Sequence, residues 1–270
     1  MNYTAIYTIA VDVIYAILPR MQYRKPYTPV MTTILHTCCC LAFGMVLFGG
    51  MPISDAVAAA RPKQPLSVKP VDSYTITQRG DSYRVNISYP NLGIPVADAE
   101  LAIWAREQAA AFTDSVKMIS APIPYGLTIT YETQTASSRV VSVVFFISTS
   151  TGGAHPEPGL ATFVYTQKDG RRLSYSDIFM KSEGLFEAFS SLCRSSLAEQ
   201  LGSRAVTDML EAGTAPEVAN FDLFALTKDG VRIFFPPYQA APYSEGYLTV
   251  SIPLEKLSEF KPQMAFWDKN

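Results

Sequence analysis

Histidine and cysteine are the scarcest chemistry-bearing residues of this 270-residue chain, which holds two of the former and four of the latter. His36 and three of the cysteines, Cys38, Cys39 and Cys40, fall in one apolar run from Ile34 to Gly50. Beyond that run only His155 and Cys193 remain, so no intramolecular disulfide can form there. A zinc site of the multi-histidine or Cys-x-x-Cys type cannot be assembled either, and neither a metal nor a cofactor is expected. Cys193 lies in an amphipathic helical pattern and reads as a buried, inert thiol. Charge is also sparse, at 17% of residues with a formal net charge of −2. With no basic excess to attract a phosphate backbone, nucleic acid is not an expected partner. The chain lacks a Gly-x-Ser-x-Gly elbow, which leaves a serine triad around His155 without its nucleophile. It also lacks the regular β-α alternation and glycine loop of a dinucleotide fold.

What is abundant is apolar surface, 48% of residues, and part of it belongs to export. Arg20, Arg24 and Lys25 precede the uncharged run from Ile34 to Gly50, and Ala58 and Ala60 form an Ala-x-Ala exit. Basic flank, apolar centre and small-residue exit are the parts of a secretory signal peptide, with cleavage expected after Ala60. The run is short of the roughly 20 apolar residues that a spanning helix needs. An uncleaved anchor facing outward is therefore the alternative, and only then is a membrane a partner. Cys38 to Cys40 precede most of the apolar core, which is the wrong side for a lipoprotein cysteine. Met21 and Met31 are candidate true starts, because the stretch from Met1 to Pro19 lies unusually far upstream for a signal peptide. The expected location is periplasmic or secreted.

After a linker over residues 61–70, residues 74–78 and 82–89 alternate polar and apolar around Gly80-Asp81, a hairpin signal. From Ala97 the period changes: Leu101, Trp104, Ala105, Gln108, Phe112 and Val116 share a helical face, with Asp98 as the expected cap. Residues 127–135 and 140–149 make a second hairpin, and a strand follows over 160–167. The Asp169-Gly170 turn then returns the chain through 171–175. Leu185, Phe186, Phe189, Leu192, Cys193, Leu197 and Leu201 are spaced for one buried helical face ended by Gly202, and a second helix is predicted over 204–212. Phe221 to Pro253 reads as two strands turning at Asp229-Gly230, a Pro- and Tyr-rich loop and a third strand. A terminal helix is predicted over 254–260. The fold class is α+β: antiparallel sheets with helices packed on one face, in two intimately associated subdomains. Residues 1–60 are the extension and signal peptide, 71–150 the first subdomain and 151–270 the second.

The single His155 sits in a glycine-rich turn, Gly152-Gly153-Ala154-His155-Pro156, at a strand end where loops often hold binding groups. The alternative is that the glycines supply positive φ and the imidazole only satisfies a neighbour. The carboxylates Glu132, Glu157, Asp169, Asp177, Asp222, Asp229 and Glu245 are scattered, and no pair stands out for glycosidic chemistry. Tyr238, Tyr243 and Tyr247 cluster among Pro236, Pro237 and Pro242, a rigid aromatic surface suited to a sugar, a peptide or a protein. Equally, these tyrosines could plug the edge of a sheet. The candidate binding residues are His155, Tyr238, Tyr243, Glu245 and Tyr247.

The order Asp229-Gly230, Phe235, Pro237-Tyr238, Ala241-Pro242-Tyr243, Gly246 and Ile252-Pro253 resembles the C-terminal domain of RsiV-like proteins. The His155 turn and the series Asp169-Gly170, Leu173, Asp177-Ile178-Phe179 look like the same domain. Tyr89-Pro90 and the helix from Ala97 are similar to its usual N-terminal companion. The resemblance implies an extracytoplasmic α+β module of uncharacterised function. In RsiV that module is the outer part of an anti-sigma factor and binds lysozyme; in some peptidoglycan deacetylases it accompanies a separate catalytic domain. No sigma-binding region or deacetylase domain is recognisable in this chain, so neither activity carries over. The expectation is a non-enzymatic binding module of the cell envelope for a lysozyme-like protein or a cell-wall glycan. The alternatives are a hydrolase or deacetylase-associated enzyme using His155 with Glu157 or Glu245, and a membrane-anchored sensor.

Overall fold

The computed structural model describes residues 72–119 and 123–269, so the signal segment, the linker and the cleavage point expected at Ala60 lie outside the described residues. Among the described residues, eight strands form two sheets. A five-stranded sheet runs β1 (Asp72–Arg79), β2 (Tyr83–Asn91), β3 (Tyr125–Thr135), β4 (Val140–Ser150) and β5 (Glu157–Thr166) in spatial order. A three-stranded sheet holds β6 (Phe224–Thr227), β7 (Gly230–Phe235) and β8 (Leu248–Pro253). Helices α1 (Pro95–Val116), α2 (Tyr175–Ile178), α3 (Leu185–Leu201) and α4 (Thr207–Gly213) complete the α+β fold.

Both expected hairpins of the large sheet form, β1 with β2 and β3 with β4. They meet through a parallel pair, β2 with β3, which turn signals do not announce. The reason is α1, which carries the chain back across the sheet, as a parallel connection requires. Its buried face is Ala97, Leu101, Ala105, Gln108, Ala109, Phe112 and Val116. Trp104 lies on Phe145 at 4.3 Å between ring centroids, with Phe163 edge-on at 5.5 Å. Asp98 is not the cap residue. It sits within the first turn and accepts the Leu92 and Ile94 N–H groups at 2.7 and 2.8 Å, which fixes the entry loop.

The small sheet lies against the opposite face of the large one. β7 is buried along its whole length, Arg232 included, so its apolar residues do not alternate with exposed polar ones. Val231, Ile233 and Phe235 face the core of α3, built on Leu185, Phe189, Cys193 and Leu197. Phe234 joins Val144 and Leu160 between the sheets. The outer edge of β6 abuts the large sheet: the Phe224 N–H donates to Thr162 Oγ1 at 3.1 Å and the Leu226 N–H to Ser142 Oγ at 3.0 Å. Hydroxyls on β4 and β5 thus satisfy donors that an edge strand would otherwise leave buried and unpaired. Tyr175, buried, stacks on Phe224 at 4.2 Å and donates to the Phe221 carbonyl at 2.7 Å. Burial of Cys193 pushes its thiol up to about 12, as an inert core cysteine requires.

Three expected elements differ. The hairpin joining β6 and β7 turns on Lys228 and Asp229, because Thr227 pairs with Gly230. Gly230 is a strand residue whose need is close approach: a Cβ there would lie 2.0 Å from the Ile252 carbonyl oxygen. Residues 171–175 contribute one bridge, Tyr165 to Arg172, and no strand, since Tyr175 already opens α2. The terminal helix over 254–260 is 3-10, not α. Among the described residues no helix is long and apolar enough to cross a membrane.

Candidate functional site

The site is built by two connections. The loop between β4 and β5 carries His155, and the long connection from β7 to β8 carries Tyr238 and Tyr243. In the first loop only Gly152 of the glycine pair takes a positive φ, +85°. That turn leaves His155 exposed. Its ring stacks on Tyr243, with centroids 4.1 Å apart and planes inclined by 22°. Tyr238 follows at 5.7 Å from Tyr243 and 37°. His155 Nδ1 lies 3.2 Å from the Pro156 carbonyl oxygen, to which the Tyr243 hydroxyl also donates, at 3.4 Å. Three rings from two connections distant in sequence therefore form one continuous aromatic platform, exposed at His155 and half-buried at the tyrosines.

The second connection is latched from below. Gln239 is buried and its Nε2 donates to the carbonyls of Gly213 and Asn220, both at 3.0 Å. Asn220 Nδ2 in turn donates to the Ala212 and Ala215 carbonyls at 3.1 and 2.9 Å. Gly213 is indispensable to this approach, since a Cβ there would stand 2.1 Å from the Gln239 carbonyl oxygen. Held so tightly on one side, Tyr238 adopts φ +70°. A non-glycine residue in the left-handed region costs about 1–3 kcal/mol and persists only where its surroundings enforce it, often at functional sites. Desolvation pushes the Tyr238 phenol above its ordinary value, with Tyr243 and the charge of Glu157 adding to the effect.

The remaining expected site residues are placed differently. Glu245 closes a 3-10 turn that starts at Tyr243 and accepts from Arg204 Nε at 3.0 Å; its side chain is largely covered while the arginine is exposed. Tyr247 stands apart from the stack. Its hydroxyl reaches the Ile147 and Gly159 carbonyls, each at 3.3 Å, and its ring meets Phe146 edge-on at 5.5 Å, so it fastens the second connection to the large sheet. The structure thus gathers His155, Tyr238 and Tyr243, with Glu157 beside them, and sets Glu245 and Tyr247 into supporting contacts. Gln239, Asn220, Gly213 and Arg204 are the residues that sequence reasoning misses. Nothing in a Pro-Tyr-Gln-Ala-Ala-Pro-Tyr string marks the glutamine as buried. Among the described residues no group of three or more His, Cys, Asp or Glu side chains is arranged to hold a metal ion.

Residues 176–255 match the family model described as "Protein of unknown function (DUF3298)". That span contains α3, α4, the whole three-stranded sheet and the tyrosine connection, but not His155. Among curated proteins, the chain is 26% identical over 181 residues to the peptidoglycan-N-acetylmuramic acid deacetylase PdaC of Bacillus subtilis, covering 66% of this chain and 38% of that protein. It is 25% identical over 175 residues to the immunogenic protein MPT64 of Mycobacterium tuberculosis, covering 64% of this chain and 75% of that one. Among solved structures, a DUF3298 family protein from Pseudomonas aeruginosa PAO1 aligns with a TM-score of 0.50 at 17% identity, over 74% of this chain and 97% of that one. At that identity the likeness is one of fold, and it agrees with the α+β architecture. The chain therefore spans under two-fifths of the deacetylase's length.

Proposed function

We propose that this chain is a non-enzymatic binding module of the cell envelope, acting outside the cytoplasm, and that it recognises cell-wall glycan on the platform of His155, Tyr243 and Tyr238. The observation that carries the reading is the platform itself: an aromatic stack that ends at the exposed His155 ring, held by a buried amide latch and a left-handed tyrosine. Planar rings present apolar faces to the C–H faces of sugars, while hydroxyls and carbonyls at their rims take hydrogen bonds. The likeness to a protein named for peptidoglycan deacetylation supports a peptidoglycan ligand, and the signal-like segment in the sequence supports export. The reading as a hydrolase has less support. His155 meets the Pro156 carbonyl and not a carboxylate, and Glu245 is engaged by Arg204.

Calorimetric titration of the full-length protein with peptidoglycan glycan fragments, and separately with lysozyme, tests the proposal. Replacing both Tyr238 and Tyr243 by alanine should weaken glycan binding about tenfold or more, as loss of central aromatic anchors does. Unchanged affinity in a variant with native circular dichroism, or binding of lysozyme without any binding of glycan, would overturn it.

A further inference from the structure

The platform's charge narrows the kind of glycan it can take, an inference that rests on the glycan reading above. Two carboxylates border the rings. Glu245 is neutralised by Arg204, whose second contact is the Gln200 carbonyl oxygen at 3.3 Å. Glu157 is exposed and follows Pro156, whose carbonyl oxygen meets both His155 and Tyr243. Among the described residues Glu157 carries no ion pair, and its charge reaches the Tyr238 phenol. A ligand lying on the stack therefore meets the exposed His155 ring, the half-buried Tyr238 ring and a carboxylate without an ion pair, while the neighbouring arginine is already taken. Aromatic faces attract cations, and an open carboxylate accepts a charge-assisted hydrogen bond from an ammonium group. A neutral acetamide gains neither term, and an acidic sugar is repelled by Glu157.

We infer that the platform selects amino sugars whose nitrogen is free and protonated, that is, de-N-acetylated glycan in preference to its N-acetylated form. The ammonium sits between Glu157 and the Tyr238 ring, and the sugar ring covers His155. An exposed ion pair together with one cation–π contact corresponds to roughly a tenfold preference.

The test is calorimetric titration of the full-length protein at neutral pH with three probes: a β-1,4-linked glucosamine tetramer, the N-acetylglucosamine tetramer and tetralysine. The wild type should bind the glucosamine tetramer about tenfold more tightly than the N-acetylated one. Glu157→Gln should reduce that preference to within about twofold. Equal or reversed preference in the wild type, or a preference that survives Glu157→Gln, overturns the inference. So does tetralysine binding as tightly as the glucosamine tetramer, which would mean that the site reads a cationic side chain and not a sugar. If the N-acetylated tetramer binds and is lost with the two tyrosines while no amine preference exists, the glycan reading stands and this inference alone falls. If neither oligosaccharide binds, both fall.

Discussion

Replacing Thr162 by valine removes one oxygen and keeps the shape of the side chain, which isolates the contact between the two sheets. Thr162 Oγ1 accepts the Phe224 N–H at 3.1 Å, in a region where both residues are buried. In the valine variant that donor faces a methyl group with no water to turn to. An orphaned buried donor costs about 1–3 kcal/mol, whereas a methyl lost from a core costs about 0.8 kcal/mol. Thr162→Val should therefore destabilise by about 1–3 kcal/mol, and Thr162→Ser, which retains the acceptor, by the smaller amount. Ser142→Ala, which strips the acceptor from the Leu226 N–H, should behave like the valine variant. Urea unfolding gives the measurement: midpoints should fall without a change in slope, since the surface exposed on unfolding is unaltered. Hydrogen exchange supplies the local readout, with the Phe224 amide losing protection in Thr162→Val and keeping it in Thr162→Ser. If the valine variant costs no more than the serine variant and the Phe224 amide stays protected, these hydroxyls do not anchor the small sheet, and the account of how the second connection is positioned fails with them.

Gly213→Ala should cost about 2 kcal/mol or more, because its Cβ would overlap the Gln239 carbonyl oxygen at 2.1 Å and the backbone must move. The displaced residue adjoins Tyr238, so the ring-current shifts that Tyr243 imposes on the His155 imidazole should shrink in NMR spectra; a stable variant with unaltered shifts would contradict the latch. Asp177 is held below the ordinary carboxylate range first by Ser174, whose Oγ and N–H donate at 2.6 and 2.8 Å, and then by Arg171. A depressed folded-state pKa adds stability that is present above the unfolded value and lost as pH falls through the folded one. Asp177→Ala should thus cost about 1 kcal/mol at pH 7, the usual worth of such a cap, and the gap from wild type should close as the pH drops below the carboxylate range. A gap independent of pH in urea midpoints would contradict the assignment.

Most of the secondary structure is readable in the residue pattern, and where it is not, the cause is tertiary. The α1 and α3 faces follow from helical spacing because a helix half in water must segregate its apolar residues. The 3-10 geometry of 254–260 and the single bridge at Arg172 are outside such reach, since the period alone does not tell a tight turn of helix from an α-helical one. The parallel pairing of β2 with β3 is equally hidden. A turn signals its own hairpin, but which hairpin edge α1 returns to is decided by where its Trp104 face finds Phe145 and Phe163.

The site divides in the same way. That His155 stands alone in a glycine turn, and that three tyrosines crowd a proline-rich connection, is written in the sequence, because glycine and proline dictate local backbone by sterics alone. That His155 joins Tyr243 and Tyr238, while Tyr247 turns inward to the carbonyls of Ile147 and Gly159, is decided by the packing of one sheet on the other. The same packing leaves Glu157 open and Glu245 bound to Arg204. A sequence fixes the chemistry that each loop can offer. Only the burial of β6 against Ser142 and Thr162, which sets the register between distant segments, determines which of those offers face one another.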